Sequence, residues 1–171
     1  RRRMIFDRVR GLQTKDTLTD PMAGLFVRKY LKGMNPIIDP FARNCEFAWP
    51  YTNDIDTSTN AEQHLDAEEF LKRMKDMRFG GAILDPPFSN HQSREIYGSE
   101  NLYTNPAKMK RIEMELGSLI ELGGYVVKFG YNSNFSHKSF ECIAVRLVRY
   151  GGSMNDMIIS VHQRTISGDW F

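Results

Sequence analysis

Apolar side chains recur along residues 20–33 as Leu25, Phe26, Tyr30 and Leu31, a spacing that predicts one stripe of a helix. Asp20-Pro21 supplies an N-cap and a proline at the first helical position, and Gly33 supplies the stop. Arg28, Lys29 and Lys32 fall on the other side as a solvated basic face. Pro36-Ile37-Ile38-Asp39-Pro40-Phe41 reads as a short apolar strand ending in Asp-Pro-aromatic, and Trp49–Thr52 as a second strand leading into Asn53-Asp54-Ile55-Asp56. The polar run 57–63 is too short for a helix. Asp66 with Glu69 spells a capping box ahead of Phe70, Leu71, Met74 and Met77, and Gly80-Gly81 ends that helix and begins a buried strand through Leu84. Asn105-Pro106 opens a helix with Met109, Ile112, Leu116, Leu119 and Ile120 on one side, closed by Gly123-Gly124. Tyr125–Phe129 follows as a strand. Cys142–Tyr150 and Asp156–Gln163, joined by Gly151-Gly152-Ser153, predict an antiparallel pair. Residues 4–19 show no clear period and are assigned no firm structure.

Strands interleaved with helices indicate an α/β fold. The 171 residues are about one domain's worth, taken as 1–171, with residues 1–13 expected to be a flexible arm or an expression remnant. With 23 basic and 21 acidic residues the net charge is only +2, which does not by itself demand a nucleic-acid partner. Cys45 and Cys142, far apart, are expected to be reduced thiols of an intracellular, cytoplasmic protein. No metal-ligand cluster, secretory signal or apolar run of about 20 residues is present, so neither a metal nor a membrane is expected.

The stretch Ile83-Leu84-Asp85-Pro86-Pro87-Phe88 carries the strongest chemical signal. It delivers an acid, two prolines and an aromatic ring to a strand's carboxyl end, where open α/β sheets bind ligands. Such a tetrapeptide suits reaction at an exocyclic amine, whose lone pair is delocalised into its ring. The Asp85 carboxylate can accept one amine hydrogen and the Pro86 carbonyl the other. Pro87 stiffens that presentation, and Phe88 can stack on a base taken out of a helix. The same residues also read as a plain turn, with Phe88 in the core. Asp54, at the end of the second strand, is placed to accept from a ribose diol or to cap its turn. The polar loop 89–105 carries Gln92, Arg94, Tyr97 and Tyr103, its arginine and tyrosines suited to phosphate and base contacts, and Tyr131-Asn132 reads as a loop at the same edge that could shape a base pocket.

Asp85-Pro86-Pro87-Phe88 resembles the catalytic motif of the S-adenosylmethionine-dependent amino-methyltransferases, and Asp39-Pro40-Phe41-Ala42-Arg43-Asn44 looks like that family's first-strand motif. The two stand in the family's order, and the resemblance covers about residues 14–165. It implies a Rossmann-like class I methyltransferase: a mostly parallel sheet flanked by helices, ending in an antiparallel hairpin. It implies Asp85, Pro86, Pro87 and Phe88 as catalytic residues. Cofactor contacts are implied at Thr17, Leu18, Asp39, Pro40, Phe41, Ala42, Asn44, Asp54, Asp66, Ala67 and Asp85, with Asp66 holding the adenine amine. Gln92, Arg94, Tyr97, Tyr131 and Asn132 would meet substrate. The glycines usual in the first loop are replaced by Arg43 and Cys45, and Asn44 is the residue there expected to tolerate a left-handed backbone. The glycine-poor loop is similar to that of small phage and mobile-element forms. The implied reaction is methylation of adenine N6 in DNA, as in restriction-modification. The alternatives are cytosine N4, adenine in RNA, or a non-catalytic nucleic-acid-binding protein of the same fold. With little room for a separate recognition module, a homodimer or partner subunit is a further expectation.

Overall fold

The computed structural model describes residues 3–12, 14, 16–87, 103–152 and 155–166. Along the chain these form β1 (Ile5–Arg10), α1 (Pro21–Leu31), β2 (Ile37–Ile38), α2 (Ala67–Arg73), β3 (Phe79–Leu84), α3 (Pro106–Leu119), β4 (Ile120–Gly130), β5 (Phe140–Arg149) and β6 (Met157–Arg164). The strands make one sheet in the order β1-β5-β6-β4-β3-β2. β6 runs antiparallel to β4 and β5, whereas the pairs β1–β5, β2–β3 and β3–β4 are parallel. The carboxyl ends of β1 to β5 therefore share one edge of the sheet.

Helices cover both faces. Phe70, Leu71, Ile112 and Leu116 of α2 and α3 pack on Ala82, Leu84 and Val126, and Phe26, Val27 and Leu31 of α1 pack on Ile83, Val127, Ile159 and Val161. β3 is buried on both faces, as a central parallel strand must be. Asp20 caps α1 by accepting from Met22 N–H, Asp66 caps α2 by accepting from Glu68 N–H, and Asn105 caps α3.

Several sequence expectations are corrected. Leu25 is 60% exposed, and the inner stripe of α1 runs through Ala23, Phe26, Val27 and Leu31. Helix α3 stops at Leu119 instead of reaching Gly123-Gly124, because Ile120 already pairs with Phe79 in the sheet. The next pair is Gly81 with Tyr125, so residues 121–124 bulge out, with Gly123 at φ +83°. Residues 5–10 form an edge strand rather than an arm. The second strand shrinks to isolated bridges, Asp39 with Thr52 and Asn53 with Gln63. There the buried Asn53 side chain donates to Pro40 O and Leu65 O and accepts from Leu65 N–H, a side chain supplying bonds that a longer strand would make with backbone. As its composition implied, the stretch 54–66 holds no helix.

Candidate active site

The shared edge gathers the acids that the sequence singled out. Asp39, following β2, is 1% exposed and accepts from Phe41 N–H at 3.0 Å. Burial, reinforced by the neighbouring Asp85 and Asp54 carboxylates, raises its pKa well above the usual carboxylate range. Asp54 is equally buried, accepts from Asp56 N–H at 2.9 Å and from Arg43 N–H at 3.1 Å, and is likewise raised by burial.

Asp85 stands at the end of β3. Dense surroundings push its carboxyl up to about 7, against the opposing hydrogen bond from Thr17 and the field of Arg43. Thr17 sits over Asp85 because Gly24 lets α1 approach the Leu18 carbonyl, where a Cβ would lie 2.8 Å away. Thr17, Leu18, Asp39, Phe41, Ala42 and Asp85 thus line one small cavity of about 20 Å³. Pro86 and Pro87 face a second cleft of about 350 Å³, shared with Tyr131 and Asn132. The Asp85-Pro86-Pro87 corner forms a wall between the two.

The loop after β4 is anchored from below. Glu113, 5% exposed, accepts from Ser136 N–H at 2.8 Å and from Lys128 Nζ at 2.7 Å, and Lys128 also donates to Asn134 O. This explains a lysine inside a buried strand: its charge is paired, and it fixes the loop that presents Tyr131. The Asn132 side chain accepts from Asn134 N–H, closing a turn, while Tyr131 is 46% exposed at the cleft. Phe88, Gln92, Arg94 and Tyr97 lie outside the described residues.

Two residues at this edge take roles other than those the sequence suggested. Arg43, rather than Asn44, adopts the left-handed backbone, at φ +49°. Its N–H is held by Asp54 and its Nε by Asp16 at 2.9 Å, tethers that offset a cost of about 1–2 kcal/mol for that conformation. Asn44 instead turns away to accept from Asn60 N–H. Tyr103, 2% exposed, donates its hydroxyl to Asp66 Oδ2 and accepts from Ala67 N–H, both at 3.1 Å, with its ring edge-on to Phe41. Lys108 also binds Asp66 Oδ2, at 2.6 Å. Burial works to raise the Asp66 carboxyl, but the bonds from Lys108, Glu68 N–H and Tyr103 outweigh it and hold it below the usual range. No periodicity or motif in the sequence marks a tyrosine 37 positions away as the partner of Asp66. Cys45, beside this edge, has its thiol pushed up to about 12 by burial and is inert.

No protein-family model matches the sequence, nor does any curated protein sequence. Solved structures do match the fold. A putative methyltransferase, YhhF, from Escherichia coli superposes with a TM-score of 0.57 at 10% identity, over 90% of this chain and 91% of that one. The N-methyltransferase NodS from Bradyrhizobium japonicum WM9 gives 0.52 at 9% identity, over 84% and 94%. The fold is that of the class I methyltransferases. At these identities the likeness speaks to architecture, and chemistry must come from the site.

The methyltransferase sheet here carries β1 as an edge strand beyond the hairpin, and its far edge is trimmed to bridges. The donor set at the mouth fits a cofactor bearing a ribose, an amine and a positive charge: Asp39 follows β2, Asp54 follows the bridged segment beside it, and Asp85 follows β3. The space is another matter. About 20 Å³ holds roughly one water, whereas small-molecule sites run to ~300 Å³ or more. Arg43, paired to Asp16, lines this small cavity, while Tyr103, bonded to Asp66, lines the larger cleft with Pro86 and Pro87.

Proposed function

We propose that this protein is an S-adenosylmethionine-dependent methyltransferase that modifies an exocyclic amine, adenine N6 in DNA. The observation that carries the reading is the position of Asp85-Pro86-Pro87 as a partition. Asp85 borders the cavity of Thr17, Asp39 and Phe41, and the prolines border the larger cleft with Tyr131 and Asn132. A donor on one side and a planar amine on the other would meet at this corner.

Asp39, Asp54 and Asp66, with the backbone of Phe41 and Ala42, would hold the cofactor, which when bound supplies an electrophilic methyl group. The chain's own work is orientation. Asp85, ionised, accepts an amine hydrogen and directs the nitrogen lone pair, and Pro86 presents its carbonyl from a stiff backbone. Tyr131 flanks the amine's ring. With its carboxyl raised to about 7, Asp85 can also take up the proton that the methylated amine loses.

The decisive experiment incubates the protein with labelled S-adenosylmethionine and unmethylated DNA, RNA or free nucleoside, then identifies the modified nucleoside by mass. Labelled N6-methyladenine from DNA, abolished in Asp85→Ala while cofactor affinity stays within a few fold, is the expected result. A different labelled nucleoside would move the substrate to cytosine N4 or to RNA.

One observation favours a second reading. Arg43 lines the cavity of Asp39 and Asp85, and Tyr103 engages the Asp66 carboxylate and Ala67 N–H, so this chain's own side chains take up groups that a cofactor would use, as in a non-catalytic relative of the fold. Calorimetry separates the two: absence of S-adenosylmethionine binding supports the non-catalytic protein.

A further inference from the structure

Strand β1 is bound to the sheet through one of its faces. The Asp7 carboxylate takes Arg146 Nε at 2.8 Å and Nη2 at 2.6 Å, while Arg146 also donates to Met22 O and lies 4.5 Å over the Phe26 ring. Val9 packs into the same α1-side cluster. Side chains alternate across a strand, so fixing Asp7 and Val9 on that side turns Phe6, Arg8 and Arg10 to the other.

There Phe6 is 64% exposed, Arg8 and Arg10 are exposed, and neither arginine has an ion-pair partner among the described residues. The register sets Arg149 directly beside Arg10, and its nearest carboxylate, Asp156, is 4.0 Å away and itself exposed. Arg8, Arg10, Arg149 and Gly151 line a groove of about 400 Å³. Like charges opposite one another on a sheet are destabilising, so this trio is a cost that an anionic partner removes.

Its position identifies the partner. β1 and β5 run parallel to β3, so Arg10 and Arg149 lie at the edge that carries Asp85. The chain then passes through Gly11, where a Cβ would collide with Val148 and Asp20, and returns to Asp16 and Thr17 against Asp85. Arg8 and Arg10 leave the same face about 7 Å apart, and one strand of a duplex offers a phosphate per ~3.4 Å of axis, so the pair spans about two phosphates. We propose that the Phe6-Arg8-Arg10-Arg149 strip holds the sugar-phosphate backbone of duplex DNA on the sheet edge that carries Asp85, about four strand spacings, ~19 Å, from the reacting base. This rests on the nucleic-acid reading above and adds where the chain grips that substrate.

Fluorescence anisotropy with a labelled duplex of about 20 base pairs, at salt from about 50 to 200 mM, tests it on the full chain. Arg8→Gln/Arg10→Gln/Arg149→Gln should weaken binding about tenfold or more and lower the slope of log affinity against log salt by about 2 to 3, near 0.9 per lost phosphate contact. Affinity for S-adenosylmethionine should be unchanged, since none of the three lies among the acids of that site. Arg8→Glu alone, on an exposed position, should reproduce part of the loss if the triple variant folds poorly. An unchanged slope in a variant that still methylates DNA would overturn the strip and leave the proposed activity standing. Tighter, equally arginine-dependent binding of single-stranded RNA would overturn the duplex assignment. A wild-type chain that neither binds nor methylates any nucleic acid would overturn both.

Discussion

The Tyr103 hydroxyl lies 3.1 Å from Asp66 Oδ2 and accepts from Ala67 N–H at the same distance, so one buried phenol engages both groups that resemblance assigned to an adenine ring. The phenol mimics what a base edge would offer there, an acceptor for the amide and a donor for the carboxylate. Whatever enters must displace it or be excluded.

Tyr103→Phe removes this competition while keeping the ring. Each hydrogen bond contributes about 1 kcal/mol net, so the variant should unfold slightly earlier and bind S-adenosylmethionine about fivefold tighter. Thermal melts and calorimetry read the two effects. Unchanged or weaker binding would show that Tyr103 is no obstacle.

Asp85 links activity and stability to pH in opposite directions. Its carboxyl is raised from 3.8 to about 7 in the folded chain, so protons favour the folded form, and the cost of burying the charge sets in as pH rises from about 4 through 7. The ionised form is the one that accepts an amine hydrogen. Single-turnover methyl transfer should therefore climb about tenfold per pH unit below 7 and level off above it. Asp85→Asn, measured at pH 8, should lose transfer and yet melt at a higher temperature. A rate independent of pH between 5 and 7 would remove Asp85 from the chemistry.

Arg43 occupies a backbone conformation that glycine adopts without strain. Arg43→Gly gains about 1 kcal/mol from that relief, opposed by loss of a part-exposed pair with Asp16 worth up to about 1 kcal/mol, so net stability should hardly change. The cavity beside Asp39 and Asp85 should widen, and cofactor affinity should rise. A crystal of the variant soaked in S-adenosylmethionine, or calorimetry, gives the answer.

The parts legible in the sequence were those set by local rules. Asp20-Pro21, Asp66 and Asn105-Pro106 announce helix starts through their own side chains, and Ile83-Leu84 announces a strand whose end must carry Asp85. The strand Ile5–Arg10 was not legible: its partner lies some 140 residues on, and its inward polar residue, Asp7, breaks the alternation because it docks on Arg146 rather than on apolar core. Lys128 was opaque for the same reason, its partner Glu113 being on a different element.

The order of acids along the chain, the proline corner and the sites of the helices follow from the sequence alone, because caps, turns and buried strands are decided within a few residues. Tertiary structure decided what surrounds each acid. Asp39, Asp54 and Asp85 depart from ordinary carboxyls chiefly through burial, and neighbouring carboxylates add to it: Asp85 and Asp54 at Asp39, Asp56 at Asp54 and Asp16 at Asp85. Tyr103 reaches Asp66 only once α2 and α3 pack together. Arg8, Arg10 and Arg149 become one surface only when β1 pairs with β5. Electrostatic environment is a property of distance in space, and distance along a chain does not encode it.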